Sequence, residues 1–164
     1  MGIKIIFLDI DGVLNCKTTR ETHCGTIGVE QRFIDLLKEI VEATDAKVVL
    51  TSTWRLGWKD LDYGMPTPRT DDFLYLKDKL AASGIVFLSK TPSSATRHRG
   101  QEIVKWLQCW GGEPIDEYII IDDDIYDLSD TKECQGHIIE TSWSEGLKKG
   151  AVNMAIRMLN KAKK

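Results

Sequence analysis

Short apolar runs alternate with helical periodicities along this chain. Ile3–Leu8 is apolar apart from Lys4, which predicts a strand buried on both faces. Lys47–Leu50, Ile85–Leu88, Tyr118–Ile121 and His137–Ile139 predict four more short strands. Between them the period changes. From about Val29 to Ala43, the residues Phe33, Leu36, Leu37 and Ile40 form a helical stripe. Asp71 to Ala82 predicts a helix capped by Asp71 or Asp72 and ended by Gly84. Gly100 to Trp110 places Ile103, Leu107 and Trp110 on one face and closes at Gly111-Gly112. From Glu145 onward, Leu147, Ala151, Ala155 and Met158 recur at helical spacing. Lys161, Lys163 and Lys164 follow, and lysines favour a helix C-terminus electrostatically. Strands alternating with helices imply a doubly wound α/β domain with a parallel sheet of about five strands. In such sheets, sites form at the carboxyl ends of the strands.

Length and composition narrow this picture slightly. The 164 residues suit one domain, 1–164, with a sizeable core. A net charge of -3 shows no global field for nucleic acid, although a local basic patch would suffice. Cys16, Cys24, Cys109 and Cys134 form no CxxC pair, which argues against a zinc knuckle or redox motif. They read as free thiols in a reducing compartment. The start lacks a basic segment followed by a long apolar one, and no apolar run approaches the roughly 18 residues of a membrane span. The expectation is a cytoplasmic protein.

Candidate chemistry gathers at the expected strand ends. Asp9 and Asp11 follow the first strand, Thr51-Ser52-Thr53-Trp54-Arg55 the second, and Asp122-Asp123-Asp124 the fourth. Alternate residues of an extended chain face one way, about 6.6 Å apart, so Asp9 and Asp11 could reach one ligand. Clustered carboxylates repel unless a cation neutralises them. An all-oxygen set without His or Cys suits Mg²⁺. Gly12 permits a turn with positive φ or a close backbone approach. Thr51 offers a hydroxyl and an amide to a phosphoryl oxygen. Arg97 and Arg99 carry guanidinium forks suited to phosphate, at a helix start where cations are otherwise disfavoured.

The ordered set DxDGVLN, hhhT, a basic residue before a helix and hhhDD resembles the haloacid dehalogenase (HAD) superfamily of phosphotransferases. "VVLTSTWR", "RGQEIVKWL", "YIIIDDD" and "GLKKGAVNMAIRMLN" further resemble the HAD domains associated with Swiss army knife RNA repair proteins. The phosphatase domain of the bacteriophage polynucleotide kinase-phosphatase is a more distant analogy. The resemblance implies a HAD-like Rossmannoid, three-layer α/β/α and essentially capless, and a Mg²⁺-dependent phosphatase. It implies Asp9 as nucleophile and Asp11 as general acid/base whose backbone carbonyl also binds metal. Thr51, with Ser52 beside it, would hold the phosphoryl group. Arg99 would be the cation, with Arg97 as the alternate. Asp123 would be a direct Mg²⁺ ligand and Asp122 its supporting acid, with Asp124 and Asp127 farther out or solvated.

The intervals where caps are inserted in this superfamily are short here. Residues 12–29 hold about one hairpin or flap, and the spare piece 56–70 reads as a mobile loop. An open site admits a phosphate carried by a large molecule, such as an RNA or DNA end, and also by a nucleotide. Trp54, Arg55 and Trp58 could stack a base and grip a backbone phosphate, or pack against the core. With Arg69, Lys90, Arg97 and Arg99 they could form a local basic rim. Two other classes cluster acids similarly: a metal-dependent nuclease, and a non-catalytic phosphate-binding or receiver-like signalling module. A nuclease would need neither Thr51 nor an aspartyl nucleophile, and a receiver-like module fits the DxDGVLN register and the Thr51 position poorly. The physiological substrate, the oligomeric state and any kinase or ligase partner are not legible in the sequence.

Overall fold

A computed structural model describes residues 1–161. Five parallel strands, β1 (Ile3–Leu8), β4 (Lys47–Leu50), β5 (Phe87–Lys90), β6 (Ile115–Asp122) and β7 (Ile138–Glu140), form one sheet. Their order is β5-β4-β1-β6-β7. The chain builds outward from β1 on one side, then crosses back to build on the other. The crevice where this order reverses lies at the ends of β1, β4 and β6.

Strand alternation explains the layers. Ile6, Leu8, Val48, Leu50, Ile119 and Ile121 point to one face. There they meet α1 (Gln31–Thr44), α3 (Pro68–Ala81) and α6 (Lys149–Leu159). Ile5, Phe7, Val49 and Ile120 point to the other face, against Ile103 and Trp106 of α4 (Arg99–Cys109) and Leu128 of α5 (Tyr126–Ser129). The result is the three-layer α/β/α arrangement expected from the alternation.

The boundaries moved in informative ways. The third predicted strand lies two residues later, at Phe87–Lys90. The stretch 56–70, expected as a loop, is largely helical: α2 spans Arg55–Asp62, and α3 begins at Pro68. Helix α3 is capped by Thr67, whose amide donates to Thr70 Oγ1 at 2.9 Å, with Pro68 next. Asp71 lies within the first turn. A Cβ on Gly57 would sit 2.0 Å from the Arg69 carbonyl oxygen, so α2 crosses α3 by near backbone contact. Gly84 does end α3, with φ +81 and the Ile85 amide reaching back to Leu80 O at 3.0 Å. Helix α6 stops at Leu159. Of the three terminal lysines, Lys163 and Lys164 lie outside the described residues. The interval 12–29 holds one hairpin, β2 (Thr22–His23) and β3 (Thr26–Ile27), turning at Cys24-Gly25 with both φ positive. Among the described residues, no helix is long and apolar enough to cross a membrane.

Candidate active site

Three adjacent strand ends converge. The Asp9 amide extends the ladder to Ile121 O at 3.0 Å, and the Thr51 amide donates to Leu8 O at 3.0 Å. Asp122 closes β6, and its carbonyl accepts the Thr141 amide at 3.0 Å. Asp9, Asp122 and Asp123 each present a carboxylate oxygen within 4.8 Å of the others. Arg99, the first residue of α4, reaches into this group. Its Nη1 lies 2.6 Å from Asp122 Oδ2 and 3.7 Å from Asp9 Oδ1. That attraction accounts for a cation at a helix start.

Electrostatics at this point are strained. Burial pushes the Asp9 carboxyl well above the usual carboxylate range; Asp122 and Asp123 add to the rise, and Arg99 opposes it. Asp122 is raised for the same first reason, burial, against the pull of Arg99. Burial alone would lower Arg99, but Asp122 and Asp9 outweigh it and leave the guanidinium raised. Three acids against one cation leave excess negative charge. All-oxygen donors with excess negative charge fit a hard divalent ion such as Mg²⁺. Thr51 supplies a second observation. Its hydroxyl is fully buried and has no hydrogen-bond partner. A buried hydroxyl left unpaired is costly unless a ligand meets it.

Gly12 is explained by contact. Its φ is +79, and a Cβ there would lie 2.2 Å from Asp123 Oδ2. A side chain would therefore displace one of the three acids.

Asp11 does not join the cluster. The chain leaves its extended path after Asp9: the amides of Val13 and Leu14 fold back to Ile10 O at 3.0 and 2.8 Å. Asp11 is consequently exposed, and its carboxylate is not among the three acids that converge. Asn15 Nδ2 donates to it at 2.9 Å, and Trp54 Nε1 at 3.3 and 3.4 Å. The extended path expected to carry both acids is replaced by a turn, with Asp9 facing the other acids and Arg99, and the Asp11 side chain facing Asn15 and Trp54.

Arg55 is also corrected. It is buried, and its guanidinium is committed inside the protein. Nε donates to Thr91 O at 3.1 Å, and Nη1 to Thr51 O and Ser52 O at 2.6 and 2.9 Å. Nη2 pairs with Glu102 Oε2 at 2.7 Å. It has no free fork for a substrate phosphate. Glu102 was not anticipated; an acid inside the apolar-rich "RGQEIVKWL" was the available signal.

The remaining candidates divide. The Thr51 amide is used by β1, leaving only the hydroxyl for a ligand. Ser52 is buried beside it, with Oγ accepting the Trp54 amide at 3.2 Å. Arg97 is exposed, with φ +53, whereas Arg99 reaches the acids. Trp58 is partly buried, stacking on Phe73 at 5.1 Å against the core. Of the expected rim, Arg69 pairs with Asp60, and Lys90 with Asp62. The Asp124 amide donates to Asp122 Oδ1 at 3.0 Å, and Asp127 accepts the Arg99 amide at 3.4 Å. Both therefore support the site from behind.

An all-parallel Rossmannoid sheet with strand-end acids, a buried threonine hydroxyl and an arginine at a helix start defines a HAD-like domain. A model of the family described as "HAD domain in Swiss Army Knife RNA repair proteins" matches residues 5–152, and the chain belongs to that family. A comparison with curated proteins finds no match.

Proposed function

We propose that this domain is a Mg²⁺-dependent phosphomonoester hydrolase that uses Asp9 as nucleophile and acts on nucleic-acid end phosphates or nucleotides. The observation that carries the reading is the Thr51 hydroxyl, buried and unpaired beside three converging acids and Arg99. A phosphoryl group placed there would accept from Thr51 Oγ1 and face the guanidinium. Asp9, Asp122, Asp123 and the Asp11 backbone carbonyl would hold the metal. When bound, Mg²⁺ offsets the repulsion between carboxylate and phosphate and the charge of the transition state.

The chain's own residues would then act in two steps. Asp9 attacks phosphorus in line as the bond to the leaving oxygen breaks, giving an aspartyl phosphate. Asp11 delivers a proton to the leaving oxygen, then takes one from the water that hydrolyses the intermediate. Arg99 neutralises charge on the transferring group. The family supports nucleic-acid ends as the substrate class. The insertions amount to one hairpin and the α2–α3 pair, which leaves room for a macromolecular phosphate. Four free cysteines fit a reducing, cytoplasmic setting.

The test is a phosphatase panel with Mg²⁺: oligonucleotides phosphorylated at either end, mononucleotides, phosphopeptides and sugar phosphates. Release of phosphate from oligonucleotides or nucleotides, abolished in Asp9→Asn, is expected. Cleavage of internal phosphodiester bonds would indicate a nuclease. Phosphate binding without turnover would indicate a receiver-like module.

A further inference from the structure

The Asp11 carboxylate sits on an exposed turn, where a short acid would ordinarily sample several rotamers. Here two nitrogen donors confine it. Asn15 is completely buried; its Oδ1 accepts the Gly12 amide at 3.0 Å, and its Nδ2 also reaches Gly28 O at 3.0 Å. Asn15 therefore has structural duties whether or not Asp11 matters. Trp54 has no such duty for its indole N–H, which meets the two oxygens of Asp11. The ring is separately held. It lies tilted against Tyr75 at 6.4 Å, and Tyr75 stacks on His23 of the hairpin at 4.4 Å. Tyr75 Oη in turn accepts the Val29 amide at 3.2 Å. The hairpin, α3 and the start of α2 thus fix an indole whose polar edge meets the acid beside the nucleophile.

We infer that Trp54 is a positioning residue, holding the Asp11 carboxyl through its indole N–H so that the acid meets the leaving oxygen. This rests on the reading of Asp11 as the proton donor. In that step the P–O bond to the leaving group breaks as the Asp9–phosphorus bond forms. The proton of Asp11 passes to the departing oxygen, leaving Asp11 as the carboxylate that the two donors hold. A small misplacement of such a group costs up to about 100-fold in rate.

The test uses Trp54→Phe, which keeps an aromatic ring and removes the N–H, with two substrates. Glycerol phosphate has an alkoxide leaving group that needs a proton; para-nitrophenyl phosphate has a phenolate that leaves without one. Neither carries a nucleobase, so loss of base stacking does not enter. The readout is kcat/KM, which ends at phosphoryl transfer to Asp9, before Asp11 acts as base on the shared intermediate. The expected result is a kcat/KM about 10- to 100-fold lower on glycerol phosphate and less than about threefold lower on para-nitrophenyl phosphate. Thermal melting of the same samples checks the fold. Equal losses of kcat/KM on both substrates, or no loss on either, would overturn the inference while leaving the phosphatase reading intact. A wild-type protein inactive on both substrates with Mg²⁺, and on the panel above, would overturn both.

Discussion

Replacing Arg55 by methionine tests whether this cation belongs to the substrate or to the frame of the site. The side chain is buried, and it ties the carbonyls of Thr51 and Ser52 after β4 to that of Thr91 after β5. Its partner Glu102 also accepts the Ser94 amide at 2.7 Å and the Ser94 hydroxyl at 3.0 Å. Burial lowers the Arg55 pKa, and Glu102 is the main opposing influence. Arg55→Met therefore strands a buried carboxylate and leaves the carbonyls of Thr51, Ser52, Thr91 and Pro92 without this donor. Removing one partner of a buried pair costs about 3–5 kcal/mol. For a domain of this size, each kcal/mol moves Tm by about 2–4 °C, so Tm should fall by about 6–20 °C. Adding Glu102→Met removes the stranded charge and should recover a large part of the loss, a coupling that a double-mutant cycle reads directly. The assay is thermal melting of wild type, both single variants and the double variant. If Arg55→Met melts within about 2 °C of wild type while KM for oligonucleotides rises, Arg55 grips substrate and the framing role is wrong.

Three further outcomes follow from other contacts. Thr51→Val removes a buried hydroxyl with no partner, so it should raise ligand-free stability by about 1 kcal/mol in denaturant melts while lowering phosphatase turnover. Gly12→Ala forces a left-handed backbone and meets Asp123; it should cost about 1–2 kcal/mol and weaken Mg²⁺ binding in calorimetric titrations. Burial first, and then Glu133, push the Cys134 thiol up to about 11 from 9.0. The folded chain then keeps a proton that the unfolded chain sheds, so stability is full below about pH 9 and declines towards about pH 11. The loss should approach about 2–3 kcal/mol in urea melts, and it should flatten in Cys134→Ala.

The apolar runs identified all five sheet strands because a parallel sheet buried on both faces leaves little else for them to be. The strand-end rule then led to Asp9, Thr51 and Asp122 without any tertiary information. The turn at Asp11 escaped a period-two reading, which assumes an extended chain. Gly12 marks the turn that breaks that assumption, and its contact with Asp123 shows only in space. Arg55 was misread because its partner, Glu102, is 47 residues away and belongs to another helix. The choice between Arg97 and Arg99 needed the orientation of the first turn of α4. Helix α2 was hidden by Gly57, a poor helix former that the close approach of α3 requires.

The account turns most directly on Asp9. A single-turnover reaction with a substrate carrying labelled phosphate, quenched in acid and mapped by peptide, would show where the phosphoryl group resides. The account predicts a hydroxylamine-sensitive acyl phosphate on Asp9, formed with Mg²⁺ and absent in Asp9→Asn. Turnover with no phosphorylated intermediate, a label on another residue, or an active Asp9→Asn variant would contradict it.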